Sequence, residues 1–206
     1  PADIVGAVTA DGVESGMEVI RQIFPKLNMT PGILLAPGWS ENALVSAGLQ
    51  AKTSHINGVF NCVCIVDIDS STAGATKYDD VKRQKEKQAV TSANCYAVWL
   101  YAKVGDVIYA GSAMAAAATV ATDANNGDIP NVSPDNKPIS ISAACLKDGT
   151  EVLLDQEQAN VVNSFGVATW LNMNGFRLWG NNTACYPGNT DPKDRWFSVR
   201  RFFCWD

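Results

Sequence analysis

Histidine is nearly absent: His55 is the single one in 206 residues. A serine-hydrolase relay would therefore have to use His55 as its base, and no Gly-x-Ser-x-Gly elbow accompanies it. The partner such a relay would take is Ser112, in Ala-Gly-Ser-Ala; set against that, His55 reads as a partly exposed histidine at a helix end. Neither a phosphate-binding Walker loop nor a dinucleotide glycine fingerprint is present. Paired Cys-x-x-Cys motifs are missing too, which argues against a zinc centre. No basic run exceeds Lys82-Arg83 or Arg200-Arg201, and the formal net charge is −5. A chain that neutralises phosphates needs a basic face, so direct nucleic-acid binding is not expected. No apolar run approaches the ~20 residues of a membrane span, so membrane insertion is not expected. Charged residues make up 18% of the chain, where about a quarter is usual. Two readings fit: a surface covered by neighbouring subunits, or a merely neutral one.

Hydrophobic residues, by contrast, make up 47% of the chain, enough for a sizeable core. Met17, Ile20, Phe24 and Leu27 recur at helical steps, predicting a helix over 14–27 that Pro25 ends or bends. A short strand is expected at Ile33–Ala36, between Pro31-Gly32 and Pro37-Gly38. Ser40 is read as the cap of a second helix with Val45, Leu49 and Ile56 as its stripe and Gly58 as its terminator. Val59–Ile68 is rich in β-branched residues and reads as a strand covered on both faces. Asp67 and Asp69 at its end are possible ligands for a hard cation, but solvated or capping roles are commoner. The alternation of helix and strand favours a parallel sheet.

Further along, 78–90 is expected as a solvated helix with Val81 and Ala89 turned inward. Tyr96–Lys103 reads as one strand, turning at Gly105-Asp106 into Val107–Ala110 as a hairpin. Alanine-rich 112–122 reads as a helix close to a sheet, and 123–138 as a long loop with Pro130 and Pro134. Asp155 and Gln158 have the spacing of a capping box, with Val161, Val162 and Phe165 on the apolar side of the helix they open. Asn174-Gly175 marks a second hairpin, between 167–171 and 176–179. The fold expected is mixed α/β, with a largely parallel central sheet flanked by helices and β-hairpins.

Six cysteines are widely spaced, and no secretory signal is evident; buried free thiols are the better reading. Of the six tryptophans, 99, 170 and 179 are expected in the core and 196 and 205 at an interface. Arg200 and Arg201 are expected to pair with carboxylates, within the domain or on a neighbour. The first residue is Pro1, not methionine, and the sequence stops at Phe202-Phe203-Cys204-Trp205-Asp206, a largely apolar end. Together these suggest a fragment or a processed product.

Several blocks, in this order, resemble the contractile tail sheath proteins of tailed phages and related bacteriocins. They are Gly32-Ile33-Leu34-Leu35-Ala36-Pro37-Gly38, Val66-Asp67, Ala110–Ala113 with Thr122-Asp123, and Ser133-Pro134-Asp135-Asn136-Lys137. They continue with Leu154–Asn160 and Gly166-Val167, Trp179-Gly180-Asn181-Asn182-Thr183, and Ser198-Val199-Arg200-Arg201. Asn182 stands where the family has arginine, and Ser198 where it has asparagine. The resemblance implies one central α/β domain over 1–206, likened in shape to subtilisin but without its triad. It also implies a further sheath domain and terminal arms outside this stretch. The implied role is a structural, non-enzymatic subunit that polymerises around an inner tube and contracts to drive injection. Implied partners are sheath copies, the tube protein, and baseplate and tail terminator proteins. The implied location is the virion tail, assembled in the host cytoplasm, and no cofactor is implied. Trp196, Arg200, Arg201, Pro130 and Pro134 are the candidate subunit contacts. The alternative is a serine-hydrolase-like enzyme on a subtilisin-like scaffold using Ser112 and His55.

Overall fold

The computed structural model describes residues 1–205, with side chains through Cys204. In chain order the helices are α1 (Ala2–Val5), α2 (Ile23–Leu27), α3 (Ala43–Ala51), α4 (Val81–Lys87), α5 (Gly111–Asn125), α6 (Gln156–Ser164), α7 (Pro192–Arg195) and α8 (Phe197–Trp205). The strands are β1 (Ile33–Leu35), β2 (Val63–Ile68), β3 (Cys95–Trp99), β4 (Tyr101–Val104), β5 (Val107–Tyr109), β6 (Ala143–Cys145), β7 (Val167–Asn172) and β8 (Phe176–Trp179). The larger sheet has the order β1-β2-β3-β7-β8. Its first four strands are parallel and β8 returns antiparallel to β7. The smaller sheet, β5-β4-β6, is antiparallel. The expected mixed α/β fold is thus present, with a second sheet beside the first.

Every residue of β2 and β3 is buried. Successive side chains of a strand point to opposite faces, so both faces of the sheet are covered there. α5 packs against β1, β2, β3 and β4, and α3 and α4 pack against β2. The alanines of α5 permit its close approach, with Ala115, Ala116 and Ala118 buried. Thr119 and Thr122 are buried on the same helix and return their hydroxyls to the carbonyls of Ala115 (2.8 Å) and Ala118 (2.7 Å). Gly111 opens α5 against the sheet, where a Cβ would strike the Leu100 carbonyl and lie 3.0 Å from Val98. Trp99 and Trp170 are fully buried and donate to the carbonyls of Ala75 (2.9 Å) and Leu100 (3.2 Å). Trp179 is partly buried, its indole bonded to Asn160.

Several local readings are corrected. The segment 14–27 is helical in two pieces, a 3-10 helix over Gly16–Gln22 and then α2, which contains Pro25. Asn42, not Ser40, caps α3, accepting from Leu44 N. α3 ends at Ala51, so Ile56 and Gly58 lie beyond it in a turn closed by Ile56 and Phe60. β2 begins at Val63; Val59 is 72% exposed. Expected as one strand, 96–103 is broken at Leu100, whose φ of 84° turns the chain from the larger sheet to the smaller. That conformation is strained for a leucine. Burial of its side chain and the Trp170 bond to its carbonyl hold it there. Ala89 is exposed, and the helix read as solvated buries Gln84, Lys85 and Gln88 beside Val81. The hairpins at Gly105-Asp106 and Asn174-Gly175 and the Asp155–Gln158 capping box form as read.

Candidate subunit-contact surface

Asp67 stands near the carboxyl end of β2, where parallel α/β sheets commonly hold ligands. Here the position is filled from within. Asp67 is 2% exposed and accepts from Ser112 N (2.6 Å), Ser112 Oγ (2.6 Å) and Ser40 Oγ (2.8 Å). Ser40 Oγ accepts in turn from the Asp67 amide (2.9 Å). The carboxylate thus caps α5 from outside the helix, the capping role among the readings offered; it is not solvated. Burial raises its pKa above the ordinary value, against the lowering effect of the Ser112 bonds. Nearby, the Glu41 carboxylate takes Tyr101 Oη (2.8 Å) and pairs with Lys147, and burial raises its pKa as well.

Ser112 is fully buried, with its hydroxyl given to Asp67. His55 sits in an exposed turn at φ 57°, its amide bonded to Asn61. Among the described residues no hydrogen bond links the two, so no nucleophile–base pair forms. Nor does any group of three His, Cys, Asp or Glu residues among the described residues gather to hold a metal. The six thiols are free, and Cys62, Cys64, Cys95 and Cys145 are buried. Burial pushes Cys62 up to about 12. No helix among the described residues is long and apolar enough to cross a membrane.

The motif blocks lock to one another. Asp123, at the end of α5, pairs with Arg201 of α8. Asp135 accepts from Gly180 N (2.6 Å). Asn182 donates to Asn163 Oδ1 (2.8 Å) and accepts from Arg195 Nε (2.9 Å), so its neutral amide bridges the two. Ser198 meets Asn181 through both its amide and its hydroxyl (3.2 Å each). Phe197 is fully buried and stacks on Tyr96 at 4.1 Å, and the Tyr96 hydroxyl reaches the Gly180 carbonyl at 2.5 Å.

The candidate contacts fall in different places. Trp196 is half-buried under the Arg195 guanidinium, 4.3 Å from its ring. Arg200 pairs with Asp194 and Asn94. Arg201 is 4% exposed and Pro134 is buried, so both point into the chain. The long loop divides. Asn126 closes its first part by donating to Ile129 O (2.9 Å) and Asn131 (2.7 Å). Its second part lies along β8, Asn136 N bonding Leu178 O (2.7 Å) and Ile139 N bonding Phe176 O (2.9 Å). Pro130 and Arg201 share a groove with the start of β1 and Phe203. Trp205 lies outside the described side chains. Sequence reasoning missed the buried Lys85, whose ammonium donates to the carbonyls of Phe165 (2.6 Å) and Tyr186 (2.9 Å). The signal was present: Val81, Gln84, Lys85 and Gln88 fall at i, i+3, i+4 and i+7.

No family model matches the chain. It is 26% identical over 189 residues to a Pseudomonas aeruginosa (strain UCBPP-PA14) protein named as a prophage major tail sheath protein, covering 87% of this chain and 45% of that one. It is 24% identical over 213 residues to the tail sheath protein of Burkholderia phage BcepMu, covering 97% and 43%. The resemblance to tail sheath proteins therefore holds across nearly the whole chain, which spans less than half the length of these relatives. Among solved structures, a chain of the anti-feeding prophage baseplate aligns with a TM-score of 0.64 at 17% identity, over 97% of this chain and 48% of that one. A chain of the contracted PVC sheath complex, an extracellular contractile injection system, gives 0.62 at 19%, over 92% and 48%. The contracted anti-feeding prophage helical sheath gives 0.63 at 19%, over 96% and 49%. These chains share the fold.

Proposed function

We propose that residues 1–206 form the single central α/β domain of a contractile tail sheath subunit, a mechanical part with no enzymatic role. Copies stack around an inner tube, meet the baseplate and tail terminator at the ends, and pass from an extended to a contracted lattice. The lattice resides in the virion tail and is assembled in the host cytoplasm. The observation that carries this reading is the similarity to two proteins named as tail sheath proteins over 87% and 97% of the chain. The internal locks are consistent with it. Ion pairs and amide bridges hold α5, α8 and β8 as one body, and a body that keeps its shape can rotate between two packings. The work comes from the difference in contact energy between those packings.

The test is electron microscopy of the gene product that carries this chain, expressed whole. Tubes or stacked rings of regular pitch are expected. A product that stays dispersed at all concentrations and hydrolyses an ester substrate would favour an enzyme and refute the proposal.

A further inference from the structure

Three asparagines are followed directly by glycine: Asn57-Gly58, Asn126-Gly127 and Asn174-Gly175. With no Cβ beside it, a glycine amide nitrogen can approach the preceding carboxamide carbon and close a five-membered ring. In a folded chain that closure needs two freedoms. The carboxamide must be free to turn, and the backbone joining the two residues must be able to leave its turn, which is a local opening.

The three sites differ in both respects. Asn126 is pinned by its own side chain, which donates to Ile129 O (2.9 Å) and Asn131 Oδ1 (2.7 Å), and its amide is tied to Asp123 O (2.9 Å) at the end of α5. Asn57 and Asn174 are exposed, and among the described residues no hydrogen bond holds either carboxamide. Asn174 lies in the β7–β8 hairpin, which four residue pairs fasten, and Met173 N bonds Gly175 O (3.0 Å) across the turn. The turn around Asn57 continues into no ladder. It is closed by the isolated bridge Ile56–Phe60 and by Asn61 Oδ1, which accepts from His55 N (3.1 Å). Gly58 N donates to His55 O (2.8 Å). Two residues bearing a Cβ have positive φ in this turn, His55 at 57° and Asn57 at 53°, against Asn174 alone at 56° in the hairpin. Each such residue raises the energy of the closed turn, so the turn at 55–60 opens at less cost than the hairpin.

We infer that Asn57 is a site of self-modification, the Asn-Gly pair at which the folded chain first loses ammonia. The Gly58 nitrogen attacks the Asn57 carboxamide carbon. The new C–N bond closes a succinimide, and the carboxamide nitrogen leaves as ammonia with the Gly58 amide proton. Water then opens the ring at either carbonyl, giving aspartate or an isoaspartate whose main chain runs through the former side chain. Isoaspartate lengthens the main chain by one carbon inside the Ile56–Phe60 turn, and either product adds a negative charge there. Phe60 meets Phe24 of α2 at 4.8 Å, so the change reaches an apolar contact between this turn and that helix.

The test incubates the chain at pH 7.5 in oxygen-18 water, so that products formed during incubation carry the label, and follows the three Asn-Gly peptides by mass spectrometry. A parallel incubation in guanidinium gives the rate at each site in the unfolded chain. The native rate divided by the unfolded rate isolates what the fold contributes. That ratio is expected to be higher at Asn57 than at Asn174 by roughly threefold or more, and higher than at Asn126 by roughly tenfold or more. Asn57→Gln, whose longer side chain closes the ring far more slowly, should abolish the labelled product at this site and leave the other two ratios unchanged. A ratio at Asn57 no higher than that at Asn174 or Asn126 overturns the inference. So does a native chain in which Asn57 stays intact while the unfolded chain reacts there.

Discussion

Replacing Asp67 by alanine removes the acceptor for three donors at once: the Ser112 amide and the hydroxyls of Ser112 and Ser40. The hydroxyls can rotate toward other acceptors, and Ser40 keeps its bond from the residue 67 amide. The Ser112 amide cannot rotate, and it sits in the first turn of α5, where no carbonyl of the helix can reach it. At about 1–3 kcal/mol for each buried group left unpaired, the alanine variant should lose about 3–5 kcal/mol. Asp67→Asn keeps one oxygen for the amide and should lose about 1–2 kcal/mol. The pH dependence separates electrostatics from packing. Burial raises the Asp67 pKa above 3.8. Between 3.8 and the raised value the folded chain binds more protons than the unfolded chain, so wild-type stability from this group rises as pH falls. The asparagine variant lacks that gain. The buried Glu41 beside it is common to both proteins and largely cancels in the difference. Urea unfolding followed by tryptophan fluorescence at pH 7.5 and pH 4.5 is the assay. The gap between wild type and Asp67→Asn should widen at pH 4.5. An alanine variant within 1 kcal/mol of wild type, or a gap that closes in acid, would refute the account of Asp67 as a buried external cap.

Asp123→Ala strands the buried Arg201 guanidinium and should cost about 3 kcal/mol, whereas the double change Asp123→Leu with Arg201→Met should recover much of it; thermal melts of the three variants decide. Burial lowers Lys85 from 10.5 to about 8. The folded chain therefore releases that proton first, and wild type should gain stability relative to Lys85→Met as pH rises from 8 toward 10.5, read by urea midpoints. Ellman's reagent should titrate six thiols in guanidinium and at most two, Cys185 and Cys204, in the native chain.

The elements legible in the sequence are those whose cause is local. Asp155 and Gln158 satisfy each other within one turn, and Asn174-Gly175 supplies the positive φ its hairpin needs. The β-branched run of β2 announces burial on both faces without reference to any partner. The misreadings share a different feature: a residue with two possible partners chose the distant one. Ser40 has the chemistry of a helix cap, but Asp67, 27 residues away, takes its hydroxyl, and Asn42 caps α3 instead. Lys85 has the composition of a solvated helix, yet its ammonium is drawn inward by carbonyls 80 and 101 residues along the chain. Leu100 carries no local mark of its bend at all, since nothing in the residue type favours a φ of 84°. At the candidate surface, the pairing of Arg200 and Arg201 with carboxylates was readable from charge. That Arg201 and Pro134 point inward was not, because it depends on where α8 and the 134–139 segment settle.

The strand order bears on how the polar groups at the strand ends are used. In doubly wound sheets a crevice opens where the strand order reverses, and ligands enter there. The order β1-β2-β3-β7-β8 runs in one direction with no reversal, so the parallel strands present no such crevice. The carboxyl end of β2 is then closed from within. Gly111 lets the N-terminus of α5 rest on the strand ends, Ser112 and Ser40 occupy Asp67, and Tyr101 and Lys147 occupy Glu41. These polar groups fix one element against another. What remains open lies at the margins: the outer edge of β1, and β5, exposed at all three of its residues. A fold closed at its centre leaves its sheet edges as the surfaces where backbone groups can pair with another strand.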